Sequence, residues 1–245
     1  MSPSTAVERR GRVAVLTLGR PDAGNRITTQ MALEVASAFE SMRDDPAVGA
    51  CLVTGQGDAF CLGGDFHGEG ATPESRSMYA DALTAMDRAM CGFGKPLVAA
   101  VNGDAHAGGF ALVVACDLAV MAEHATLGLP EAARGLFPFI ATAIVRDALP
   151  KKVFFDLVYN ARLMAAAEAR SLRLVNEIAP RGAVLDVALA AAERASAHDP
   201  AIVRLGRSLY YDTRNAGPDE AFERARIALD AALERYAAAA AKRLD

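Results

Sequence analysis

Four short apolar runs constrain the fold more than anything else in this chain. They are residues 12–18 (RVAVLTL), 49–54 (GACLVT), 96–101 (PLVAAV) and 118–122 (LAVMA), each of strand length and flanked by Gly, Pro or Asp. Segments of helical period separate them. Residues 30–45 place Met31, Leu33, Val35, Phe39 and Met42 on an apolar side, and Thr28 or Thr29 offers a hydroxyl cap. Residues 75–91 carry Tyr79, Leu83 and Met86 on one face, and residues 108–115 read as a short buried helix. A chain that alternates in this way builds an α/β core.

The tail differs. Residues 165–180 predict a helix leading into a short strand, and beyond about residue 181 the strand signals fade. Residues 183–198 and 218–244 are amphipathic and helical, and the alanine run 237–241 suits a helix end. The expected organisation is a core over residues 1–185 and a helical lobe over 186–245.

Composition narrows the class. Hydrophobic residues make up 52% of the 245 and charged residues 23%, enough for one large core. The net charge of −4, with no dense Lys/Arg stripe, gives no case for a nucleic-acid partner. Lys95, Asn102, Asp104 and Asp117 interrupt the most apolar region, so no run reaches the ~18 residues that would span a bilayer. The N-terminus lacks the apolar stretch of a signal peptide. Cys51, Cys61, Cys91 and Cys116 show no zinc or CxxC spacing, and Cys51 and Cys116 fall in apolar runs that read as strands. Reduced thiols in a cytoplasmic protein are the expectation, with no metal and no membrane partner.

The chemistry should lie where glycine pairs follow strands. Gly63-Gly64 follows the run at 49–54, and Gly108-Gly109 follows the run at 96–101. Without a Cβ, glycine lets a ligand approach the backbone N–H groups, and two such groups can hold one developing oxyanion. Tight turns or close packing explain such glycines equally well. Glu131, after Pro130 and between apolar stretches, is either a proton carrier in an apolar pocket or a solvated helix-start residue. His106 and His67 lie near these loops, where a histidine is more often a structural hydrogen-bonder than a catalyst. Asp65 and Asp104 read as loop-fixing carboxylates. The phosphate-binding motifs GxxxxGK[ST] and GxGxxG are absent, as is a GxSxG elbow.

Five segments in order carry a family resemblance: LGRPDAGNRI (18–27), AFCLGGDF (59–66), KPLVAAVNGDAHAGGFALVVACDLAV (95–120), ATLGLPEAARGLFP (125–138) and LMAAAEARSLRLVNEIAP (163–180). Together they resemble the crotonase superfamily, the enoyl-CoA hydratases and isomerases. The resemblance implies a spiral of ββα repeats followed by a C-terminal helical trimerisation region, giving a homotrimer or a hexamer built as a dimer of trimers. It implies an acyl-CoA thioester substrate, with coenzyme A present only as part of that substrate and no separate cofactor. It assigns Gly64 and Gly108 to the oxyanion hole and Glu131 to the second of the hydratases' two catalytic glutamates. Arg26, Leu62 and Gly63 would face the adenine and pantetheine parts. Asp65, His106, Leu136, Phe137 and Phe139 are further candidates around the substrate.

Two departures bear on function. The first hydratase glutamate would fall at position 111, which is alanine. With Glu131 alone, the pattern resembles family isomerases that carry a proton between C2 and C4, although some relatives called hydratases also lack the first glutamate. Arg173 stands where the family often has glycine, so a left-handed helix end there would cost about 1 kcal/mol. Three alternatives stay open: hydration with one Glu; decarboxylation or hydrolysis using His106, Asp104 or His67; and a CoA-binding homologue without turnover.

Overall fold

The computed structural model describes residues 3–66 and 72–241. Residues up to Ser196 form one compact unit, and residues from Ala197 onward form a second.

In the first unit, β1 (Thr5–Arg10) and β2 (Val13–Leu18) make an antiparallel pair. Parallel strands β3 (Ala50–Gly55), β5 (Leu97–Val101), β7 (Leu118–Ala122) and β10 (Glu177–Ala179) complete a six-stranded sheet in the order β1-β2-β3-β5-β7-β10. Every residue of β3 and β5 is buried, as expected of strands covered on both faces. The four sequence runs thus become the centre of this sheet.

A second sheet comes from strands of three residues each, which the sequence did not announce. These are β4 (Ala59–Cys61), β6 (Asp104–His106), β8 (Thr126–Gly128) and β9 (Leu163–Ala165), in that order. After each long strand the chain crosses to the short sheet: β3 to β4, β5 to β6, β7 to β8. Helix α2 (Pro73–Cys91) follows β4, and α3 (Gly108–Ala115) follows β6. The expected repeat of two strands and a helix is therefore present.

Polar residues inside apolar stretches fasten these crossings. Asn102 accepts the Gly55 N–H at 3.0 Å and donates to the Gly57 carbonyl at 2.9 Å. A Cβ on Gly103 would stand 1.9 Å from the Asp58 carbonyl oxygen, so only glycine fits. Helix α1 (Thr29–Asp44) starts at Thr28, whose hydroxyl accepts the Met31 N–H at 3.1 Å. The buried Lys95 ammonium donates to the Met42 and Asp45 carbonyls where that helix ends. Two expectations need correction. Leu33 is 51% exposed, because at 3.6 residues per turn it lies on nearly the opposite side of α1 from the face that Met31, Val35 and Phe39 bury. Cys116 is the cap residue after α3 and not part of a strand.

The chain continues through α4 (Phe139–Val145), α5 (Lys151–Tyr159), α6 (Ala166–Ser171) and α7 (Val184–Ser196). After α6, Arg173 does adopt the left-handed conformation, with φ 61°. The Arg173 N–H donates to the Arg170 carbonyl and the Leu174 N–H to the Ala169 carbonyl, a Schellman ending. Arg173→Gly is expected to stabilise the fold by about 0.5–1 kcal/mol, because Arg is strained where Gly is not. A melting temperature equal to or below that of the parent would refute this. In the second unit, α8 (Pro200–Asp212) is capped by Asp199, whose carboxylate also pairs with Arg235 of α9 (Pro218–Ala241) at 2.8 Å.

Candidate active site

The two glycine loops meet at one cavity. Gly64 makes a single parallel bridge to Ile27. The flanking groups carry that bridge: the Ile27 N–H donates to the Gly63 carbonyl and the Asp65 N–H to the Ile27 carbonyl. Among the described residues this leaves the Gly64 N–H without an acceptor. Gly108 is the first residue of α3, a position whose N–H has no intrahelical acceptor. Both glycines line a cavity of roughly 340 Å³. Backbone geometry holds them there. Gly63 has φ +89°, and a Cβ on it would lie 2.5 Å from the Ala107 Cβ. A Cβ on Gly109 would lie 2.0 Å from the Cys61 carbonyl oxygen. Ala107 itself sits at φ 54°, ψ −122°, a strained conformation that turns β6 sharply into α3.

Glu131 enters the same cavity from the 3₁₀ turn Pro130–Arg134, which Gly135 closes at φ 74°. Its Oε2 is fully buried and, among the described residues, has no hydrogen-bond partner. Burial raises its pKa above the ordinary glutamate range; its own backbone N–H and the Arg134 charge only partly offset this. Ala111, on α3, also lines the cavity and adds only a methyl group.

Leu136, Phe137 and Phe139 all line the larger cavity. Arg26, Leu62 and His106 line a smaller adjoining hollow with Arg134, and the two hollows share Gly64, Phe66, Ala107, Glu131 and Leu136. The Arg26 guanidinium donates to the Leu62 carbonyl at 2.6 Å, bracing the loop that carries Gly64. Gly63 and Asp65 line neither hollow. Asp65 pairs with Arg20 at 2.8 Å, and Gly63 packs against Ala107. His67 lies outside the described residues.

Asp104 and His106 turn out to work as a chain. The Thr126 N–H and hydroxyl both donate to Asp104 Oδ1 at 2.8 Å. With its one proton spent on Asp104, the Thr126 hydroxyl accepts from His106 Nε2 at 2.8 Å. This relay staples β6 to β8 and fixes the histidine's tautomer. Burial, with help from Arg26 and Arg134 and against Asp104, lowers the His106 pKa, so its ring is neutral at pH 7. Burial also pushes the Cys51 and Cys61 thiols up to about 12, which makes them unreactive. Among the described residues, no three His, Cys, Asp or Glu side chains gather as a metal site, and no helix is long and apolar enough to cross a membrane.

Two N–H donors, one raised-pKa carboxylate and an apolar chamber form a site that can stabilise an oxyanion and move a proton beside it. The model of the enoyl-CoA hydratase/isomerase family matches residues 8–230. A Thermus thermophilus protein provisionally named an enoyl-CoA hydratase is 37% identical over 223 residues, 89% of this chain and 88% of that one. The 2,3-dehydroadipyl-CoA hydratase of Escherichia coli is 30% identical over 79% of this chain and 76% of its own length. A solved enoyl-CoA hydratase from Mycobacterium smegmatis superposes with TM-score 0.90 at 28% identity, covering 95% of this chain and 91% of that one. The chain belongs to the enoyl-CoA hydratase/isomerase family.

Proposed function

We infer that the protein acts on an acyl-CoA thioester through its enolate and shifts a double bond as an enoyl-CoA isomerase does. The carboxylate of Glu131 takes a proton from C2 of a 3-enoyl thioester. The C–H electron pair moves toward C1, and the charge settles on the thioester oxygen between the Gly64 and Gly108 N–H groups. Glu131 then returns the proton at C4 as the double bond forms between C2 and C3. One observation carries this reading: the cavity with both glycine donors holds the Glu131 carboxylate, whose buried Oε2 has no partner among the described residues, while position 111 is an alanine.

Hydration is the second reading, favoured by the hydratase names of the relatives. Incubating 3-enoyl- and 2-enoyl-CoA thioesters in D₂O separates the two. The expected result is conversion of the 3-enoyl to the 2-enoyl ester, with deuterium exchange at C2 and no addition of water. A 3-hydroxyacyl product as the main outcome would favour hydration. Tight CoA-ester binding without C2 exchange on any ester would mean a binding protein.

The same reading includes a cytoplasmic homotrimer or hexamer. Exposed Phe222, Leu229, Leu233 and Tyr236 on α9 support self-association, since apolar surface of this extent usually marks a contact. Sedimentation equilibrium should give three or six chains, and a monomer at micromolar concentration would refute it.

A further inference from the structure

The larger cavity contains a carboxyl that the proposed proton transfer does not use. Asp87 follows Tyr79 by eight residues and Leu83 by four on α2, so it lies on the inward face with them. The neighbouring charged residues Asp81 and Arg88 are exposed. Three titratable side chains line the cavity: Tyr79, Asp87 and Glu131. The Tyr79 hydroxyl donates to the Ile27 carbonyl at 3.2 Å. Among the described residues, nothing donates a hydrogen bond or an ion pair to Asp87.

Asp87 also stands on the acyl side. The smaller hollow, where Arg26, His106 and Arg134 gather, does not include it. Around it the larger chamber is walled by Leu83, Met86, Phe137 and Ile140. A carboxyl in such a wall, half-buried and without a protein donor among the described residues, has given up part of its water for no hydrogen bond in return, a loss that a ligand's polar group would make good.

The geometry points to Asp87 as the residue that reads the acyl chain, selecting acyl-CoA thioesters whose chain carries a neutral oxygen, hydroxyl or carbonyl, over plain alkyl chains. This rests on the acyl-CoA reading of the site. Burial raises the carboxyl to about 7, so near neutrality a large share of it is protonated. In that form it donates to a carbonyl and both donates to and accepts from a hydroxyl. A cationic chain would instead need the ionised form.

Binding tests this without turnover. Calorimetry on the full chain would compare hexanoyl-CoA with its 4-, 5- and 6-hydroxy counterparts and with 6-aminohexanoyl-CoA. At one hydroxyl position the oxygenated ester should bind about tenfold tighter than the alkyl ester. Asp87→Leu should erase or invert that ratio, and Asp87→Asn, which keeps a donor and an acceptor, should retain most of it. If Asp87→Leu does not fold, Asp87→Ala is read in its place. The proposal fails if no hydroxyl position gains, if the ratio survives in the apolar variant, or if the amino ester binds best. It also fails if the apolar variant loses C2 exchange on all esters equally with the binding ratio unchanged, since Asp87 would then serve the chemistry. C2 exchange, measured separately, reports on the enolate reading, so either idea can fail while the other stands.

Discussion

Glu131→Gln is expected to lower turnover about a thousandfold, while CoA-ester binding changes little. Gln keeps the shape and loses the base. The N–H groups of Gly64 and Gly108 still polarise the thioester, but nothing beside C2 accepts its proton. The pH profile gives the sign. The working form is the carboxylate, so kcat/KM should rise with pH and level off above the Glu131 pKa. Burial raises that pKa, so the acid limb should lie above the range of an ordinary glutamate. A variant that keeps full C2 exchange, or an acid limb at the usual glutamate value, would remove Glu131 as the base.

How much of this was legible in the sequence follows from where burial leaves a periodic trace. The centre of the six-stranded sheet was readable because β3 and β5 are buried on both faces and therefore continuously apolar. Strand β1 was not: five of its six residues are exposed, and TAVERR carries no apolar alternation. The four-stranded sheet was invisible for another reason. Three residues are too few to show a period, and β6 reads Asp-Ala-His. Those polar residues have a use only once Thr126 lies opposite, 22 positions on from Asp104. The glycine loops and Glu131 were legible as candidates because each breaks an apolar pattern. Asp87 was not singled out, because the face of residues 75–91 was defined by its apolar members alone. Its spacing from Tyr79 and Leu83 was the available signal.

Asp87 also makes a second large effect measurable, in stability. Its carboxyl titrates near 4 in the unfolded chain and at about 7 in the folded one, because burial penalises the charge. Below pH 4 both states are protonated and the residue contributes no difference. Between pH 4 and 7 the unfolded chain releases its proton first, so folding stability should fall as pH rises and the loss should be complete above pH 7. A separation of about three units corresponds to at most about 4 kcal/mol; partial access of solvent to the cavity brings the expectation to about 2–4 kcal/mol. Asp87→Asn abolishes this titration. Asn has its own packing and hydrogen-bonding cost, but that cost does not vary with pH, and Glu131 titrates in both proteins. Chemical denaturation at pH 4 and pH 8 isolates the contribution. The variant should gain about 2–4 kcal/mol on the parent between the two pH values. A gain near zero would place the Asp87 carboxylate in contact with water or a cation and remove it from the apolar wall.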